Sequence, residues 1–231
     1  MSVLASESDV RRVDLGFFVR PATETGTGAA RVEPALGYLV SHREVTILFD
    51  TGMGAVDEET EEHYKPVRRS LTAALAAIGA RLEDVDLVVN SHLHFDHCGG
   101  NRLAARPVVV QSAELAVARA AGYTMPELVD FPGVSYREID GEAELATGVV
   151  VVPTPGHTPG HQSLVVRCRD GTVVVAGQAT DSAFEYGSYH LAWRASQELG
   201  RDVAPYPEWT ERLARFDPAR VVFAHDPAVW Q

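Results

Sequence analysis

The sequence predicts an α/β fold, and three observations carry that expectation. Four short apolar runs, at 87–89, 149–152, 173–176 and 221–224, are built from Leu, Val, Phe and Ala throughout, as strands buried on both faces are. Each run leads into a polar residue able to bind a metal or offer an amide: His92, His157, Gln178 and His225. Elsewhere, apolar residues spaced i, i+4, i+7 mark helices. Strand ends that converge on one edge would form a rigid scaffold for a site.

Taken in order, residues 1–9 read as a flexible lead. The run 13–19 is a strand closed by Pro21, and 23–30, rich in Thr, Gly and Ala, is a loop. A strand pair follows at 36–40 and 45–49, joined by a turn at 41–44 in which His42 is solvated. Asp50 ends the pair, either as a turn residue or as a support behind a metal site. The acidic stretch 57–65 reads as a solvated loop, with the alternative that His63 and Tyr64 overhang a pocket. Leu71, Leu75 and Ile78 share one face of a helix that Gly79 ends. After a strand at 108–110, Ser112 is an N-cap and Glu114 a first-turn acid for a helix running to about Ala121. The irregular stretch 122–133 offers Tyr123, Met125 and Phe131 to a cleft or to the core. The aromatic segment 184–193, which contains His190, either walls a pocket or simply packs. Trp209, Leu213 and Phe216 form a late helix that starts near Pro207. No Pro-, Gly- or Ser-rich linker interrupts the chain, so a single domain spanning residues 1–231 is expected.

Charge and composition narrow the function. With 32 acidic and 20 basic residues the net charge is −12, which disfavours nucleic acid and anionic membranes as partners. No apolar run approaches the roughly 20 residues of a membrane span. The first nine residues lack the basic and apolar blocks of a secretory signal. Two cysteines, Cys98 and Cys168, make no disulfide framework, and both read as packed side chains. The expected compartment is the cytoplasm.

The chemistry concentrates in Ser91-His92-Leu-His94-Phe-Asp96-His97-Cys98-Gly-Gly. His92 and His94 are two apart, so an extended backbone sends both imidazoles to the same side. Asp96 and His97 follow where the chain turns and can aim at a second position nearby. Imidazole and carboxylate together suit zinc and its first-row neighbours.

Three motifs, His92-Leu-His94-Phe-Asp96-His97, Thr154-Pro-Gly-His157-Thr-Pro-Gly-His161-Gln-Ser and Phe223-Ala-His225-Asp226, resemble the metallo-β-lactamase superfamily. Within it they are most similar to the N-acyl homoserine lactonases. The similarity runs from about Gly37 to Asp226. It implies a four-layer αβ/βα sandwich with metals at one edge: His92, His94 and His157 on one ion, and Asp96, His97 and His225 on the other. Three protein ligands per ion leave a position for water, as in catalytic zinc sites. His161 follows as a residue supporting the ligands. The resemblance implies two zinc ions, with one ion, iron or manganese as alternatives. It further implies a small acyl substrate and a monomer or homodimer.

Two departures stand out against that resemblance. The family usually carries a bridging Asp where this chain has Gln178, and a substrate-holding Tyr where it has Asp181. Asp181 is therefore a candidate substitute ligand or proton donor to the leaving group, and Tyr186 or Tyr189 a stand-in for the missing phenol. The expected reaction is hydrolysis of a lactone, ester or related acyl bond by metal-activated water, with Asp96 holding its metal and orienting the nucleophile or taking its proton. Competing expectations are a thioesterase, a glyoxalase II-like enzyme or a β-lactamase. A mononuclear iron dioxygenase and a non-catalytic metal-binding protein are the others.

Overall fold

The computed structural model describes residues 8–120 and 122–231. The flexible lead expected at 1–9 lies outside the described residues up to position 7, as does Ala121. Seven strands make one sheet: β1 (Asp9–Arg20), β2 (Arg31–Ser41), β3 (Thr46–Phe49), β4 (Val67–Arg68), β5 (Leu87–Val89), β6 (Val108–Gln111) and β7 (Tyr136–Ile139). Their order is β4-β1-β2-β3-β5-β6-β7. A second sheet holds β8 (Ala143–Ala146), β9 (Val149–Pro153), β10 (Gln162–Cys168), β11 (Gly171–Val175) and β12 (Pro218–Val222), ordered β12-β11-β10-β9-β8. The helices are α1 (Glu58–Tyr64), α2 (Leu71–Ala77), α3 (Phe95–Cys98), α4 (Asn101–Ala104), α5 (Ser112–Ala118), α6 (Pro126–Val129), α7 (Ala183–Leu199) and α8 (Trp209–Ala214).

Period-two alternation explains the layers. In the first sheet Tyr38, Val40, Ile47, Phe49 and Val89 point inward, against Val149, Val151, Leu164 and Val166 of the second. Their chain neighbours Leu39, Leu48 and Val88 point outward and meet Leu71, Leu75 and Leu115 of α2 and α5. On the far side Val152, Val165, Val174 and Val221 pack against Tyr186, Trp209 and Leu213 of α7 and α8. Both faces of both sheets are covered, which is why the strands read as uninterrupted apolar runs. The result is the expected αβ/βα sandwich. No helix among the described residues is long and apolar enough to cross a membrane.

Several local expectations change. Residues 57–65 are not a loop: Asp57 caps the Thr60 N–H at 2.8 Å and Lys65 closes the helix in a left-handed turn. That helix buries no residue, so no apolar stripe announces it. Ser112 is the first helical residue rather than the cap, because β6 runs straight into α5 and places Gln111 at the cap position. His42 is buried, its Nδ1 accepting the Glu44 N–H at 3.1 Å. The segment around His190 lies within α7 and packs on Trp230. The strands β7 and β8 are not evident from the sequence; β7 alternates poorly, with two exposed residues in its four.

Leu164 is fully buried between the sheets, whereas Leu191 on α7 is 63% exposed. Leu164→Ala is expected to cost about 2–5 kcal/mol of unfolding free energy, and Leu191→Ala less than about 0.5 kcal/mol. Urea denaturation of the two variants checks the difference.

Candidate metal centre

Five strand ends build the site. Because β3 is parallel to β5, and β9 and β11 both run antiparallel to β10, these strands bring their carboxyl ends to one edge of the sandwich, as does β12, parallel to β11. Asp50 follows β3, Ser91 and His92 follow β5, His157 follows β9, Gln178 follows β11 and His225 follows β12. Hydrogen bonds lock the two halves together at this edge: Leu36 N–H to Ala224 O at 2.9 Å, and Gln162 N–H to Ser91 O at 2.8 Å. The loop after β3 lies so close to α3 that a Cβ on Gly99 would run into the Gly54 backbone. Glycine at 99 thus permits the approach that seats Asp96 and His97.

The side chains gather into two triplets. His92, His94 and His157 form one and Asp96, His97 and His225 the other, with the ligand atoms of each within 4.8 Å of one another. The hydrogen bonds behind them fix which nitrogen faces inward. His97 Nδ1 lies 2.9 Å from Asp50 Oδ2, and His225 Nδ1 lies 2.9 Å from Pro34 O; both donate outward. His92 Nδ1 sits 3.0 Å from Ser91 Oγ, whose own hydroxyl donates to Asp50 at 2.8 Å. With these rings neutral, the inward nitrogens carry lone pairs that face one another: His97 Nε2 and His225 Nε2 are 3.1 Å apart, and Asp96 Oδ2 is 3.3 and 3.4 Å from them. In the other triplet His92 Nε2 and His94 Nδ1 are 3.0 Å apart, and His94 Nδ1 and His157 Nε2 3.1 Å. Electron-rich atoms converging in this way are stabilised by a cation between them. The donor set, imidazole with one carboxylate, fits first-row transition metals.

Protonation follows the same logic. Burial, then the charge of neighbouring histidines, brings His225 down to about 4; burial and His94 bring His157 down to about 3. His92, His94 and His161 are lowered too, chiefly by burial. Neutral imidazole is the ligating form. His97 moves the other way: burial lowers it, but Asp96 and Asp50 prevail and raise it to about 10. Burial alone would raise Asp96, yet His97, His225 and His94 lower it below the usual carboxylate range, so it stays ionised.

Sequence-expected residues outside the triplets fall in different places. Asp50 supports His97 as described. His161 is fully buried; its Nδ1 lies 3.1 Å from Thr154 O and its Nε2 accepts the Gln178 N–H at 3.0 Å, which places Gln178 rather than binding an ion. Cys98 is buried, and burial raises its thiol far above the ordinary value, so it is packed and unreactive. Asp181 pairs with Arg20 Nη1 at 3.0 Å and with Arg31 at 3.6 Å, and it is not among the residues lining the cavity over the triplets. Tyr186 is buried in the helix layer and Tyr189 bonds Glu185 at 3.1 Å, so neither reaches the cavity.

That cavity holds about 340 Å³. His94, Asp96, His157 and Gln178 line it together with Phe18, Arg20, Tyr64, Phe95, Tyr123 and Met125. Tyr64, on the helix expected as a loop, has its phenol raised to about 12 by burial and Glu24. Glu114 is the residue that sequence reasoning missed. Buried on α5, it accepts the Leu93 N–H at 2.8 Å, the Thr158 hydroxyl at 2.6 Å and the Tyr123 hydroxyl, joining both ligand loops to the cavity wall. Only its place in a helix first turn is legible in the sequence.

The lowered histidines predict a pH effect in the metal-free protein. Unfolded, they protonate near pH 6.5; folded, His225 resists to about 4 and His157 to about 3. The unfolded chain therefore binds more protons as pH falls, and stability drops from about pH 6.5 toward 4. His97 acts in the opposite sense above that window: its raised value gives stability that is lost as pH rises toward about 10. A thermal midpoint of the metal-free protein that stays level between pH 6.5 and 4 would contradict these assignments.

Comparison with known proteins identifies relatives of this chain. An N-acyl homoserine lactonase from Bacillus sp. is 35% identical over 161 residues, 64% of each chain. The chain thus spans just under two thirds of the length of that relative. A second N-acyl homoserine lactonase, AttM of Azorhizobium caulinodans, is 29% identical over 235 residues, covering 89% of this chain and 86% of that protein. Among solved structures, an N-acyl homoserine lactone hydrolase with N-hexanoyl-L-homoserine bound at its catalytic metal centre superposes with a TM-score of 0.75. It is 24% identical, with 97% of this chain and 95% of that chain covered. The Metallo-beta-lactamase superfamily profile matches residues 30–225. A profile match over most of the chain means that this protein belongs to the metallo-β-lactamase superfamily.

Proposed function

We propose that the protein is a zinc-dependent hydrolase that opens a lactone or cleaves a related ester. The observation that carries this reading is the floor of the cavity, where His94, Asp96 and His157 of the two triplets face open space. His92, His94 and His157 would hold one ion, and Asp96, His97 and His225 the other. Bound there, the ions supply a water of lowered pKa and a Lewis acid for the carbonyl oxygen.

The chain's own groups do the rest. Asp96, lowered below the usual carboxylate range and so ionised, is placed to orient the attacking water or take its proton. Hydrolysis adds water across the acyl C–O bond: oxygen joins the carbonyl carbon, the ring or ester C–O bond breaks, and the proton from water ends on the departing oxygen. Phe18, Phe95, Tyr123 and Met125 form a partly apolar wall for an acyl chain, and Arg20 brings a guanidinium to the same cavity for a carbonyl oxygen. The relatives' names make N-acyl homoserine lactones the first substrates to test. A panel with thioesters and β-lactams separates the other hydrolases of this fold. The free Cys98 and Cys168 suit the reducing cytoplasm.

Asp181 is assigned here to positioning, because its carboxylate is taken up by Arg20 and Arg31. A leaving-group acid would lose about 10²–10⁴ in kcat when replaced. Asp181→Asn is expected instead to raise KM through a misplaced Arg20 and to change kcat little.

Chelation should abolish hydrolysis and added zinc restore it, assayed on short- and long-chain lactones at saturating zinc. Lactone turnover that survives complete metal removal, or none in the zinc-loaded protein on any acyl substrate, would sink this function.

A further inference from the structure

The two triplets are built unequally. Among the first three ligands, His92, His94 and His157, there is no charged group. The second set contains the Asp96 carboxylate, and its His97 leans on a second carboxylate, Asp50, 2.9 Å away and buried. Anchoring differs as well. Both histidines of the Asp96 set are held from behind, by Asp50 and by Pro34 O, so each Nε2 is already aimed. In the all-histidine set, among the described residues, only His92 has such an anchor, on Ser91, and His157 lies at the open rim of the cavity. Ligands oriented by outer partners bind metal more tightly than free ones, commonly by 10–100-fold.

Gln178 widens this difference. Its Oε1 lies 3.2 Å from His225 Nε2, and it lines the cavity beside His94 and His157. His225 Nδ1 already donates to Pro34 O, so Oε1 and Nε2 meet as two acceptors, an arrangement that suits a cation at the Asp96 triplet. The amide is neutral, however. Two dications side by side repel, and an anionic side chain at position 178 would offset that repulsion, whereas an amide does not. Position 178 is also rigid: its N–H is fixed on His161, and a Cβ at Gly177, which has φ +61°, would strike Ser91.

We infer that the protein holds its two ions with unequal affinity: a tight one on Asp96, His97 and His225, and a readily lost one on His92, His94 and His157, with Gln178 setting the gap. This rests on the metal-centre part of the function proposed above and not on the identity of the substrate.

The test measures metal rather than turnover. Protein loaded with excess zinc is passed through a desalting column and analysed for zinc per chain, and both dissociation constants are measured by competition with a chromophoric chelator. One ion retained, with the second bound at least about 100-fold more weakly, is the expected result. Gln178→Asp should retain two and bring the constants within about tenfold. His157→Ala, at the exposed rim, should keep the tight ion, and His225→Ala should lose it. Since His225 is buried, Asp96→Asn repeats that arm, with far-UV circular dichroism confirming the fold of each variant. Two equally tight ions in the unaltered protein, none retained, or a tight ion lost in His157→Ala but kept in Asp96→Asn would each overturn the inference. A protein that binds zinc unequally yet opens no lactone overturns the substrate reading alone, and one with two equal ions and lactone turnover does the reverse.

Discussion

Imidazole lone pairs held face to face in a buried site, as His97 and His225 are at 3.1 Å, repel unless positive charge lies between them. That constraint organises this protein. Asp50, Ser91 and the Pro34 carbonyl each take the outward N–H of a histidine of the triplets and so turn its other nitrogen inward. Neutral imidazole is kept by burial, which makes the charged form costly for every histidine of the cluster except His97, where two carboxylates prevail. In the metal-free protein the raised His97 provides that positive charge, and a metal ion between the rings would take its place.

Such a cluster needs a stiff frame. Both sheets are covered on both faces, and the donors sit within a few residues of strand ends rather than on long loops. Buried polar groups hold the remaining loops. Glu114 ties Leu93 to Thr158, and Gln162 reaches across the sandwich to Asn90 O at 2.7 Å. On the cavity's rim Arg20 joins β1 to Glu33 at the start of β2 and to Asp181 after β11. A network of two guanidinium groups and two carboxylates is nearly neutral in total, so Arg20 reaches the cavity without leaving an unpaired charge behind.

Much of this is legible in the amino-acid sequence. The six residues of the two triplets lie in short motifs whose spacing reports their chemistry, because a strand end or a single helical turn brings neighbours such as His92 and His94 to one place. Strands 87–89, 149–152 and 173–176 are legible because burial on both faces leaves a run of one residue class. Helix α1 is not, since it has no fully buried residue and its acidic sequence reads like a loop. Strand β7, with two exposed residues of its four, shows no alternation to detect.

What the sequence alone determined is local: which residues carry metal-binding chemistry, which stretches are core, and that Gln178 stands where a carboxylate was expected. Tertiary structure decided everything that depends on which distant segments meet. Asp181 faces Arg20 and does not line the cavity over the triplets, Tyr64 and Tyr123 reach that cavity while Tyr186 and Tyr189 do not, and Glu114 joins the loops that carry His94 and His157. The physical reason is that hydrophobic periodicity and turn chemistry act over a few residues. Partners such as Asp50 and His97, or His225 and Pro34, are 47 and 191 positions apart; the first pair meets only when β3 and β5 align in one sheet, the second only when the two sheets pack.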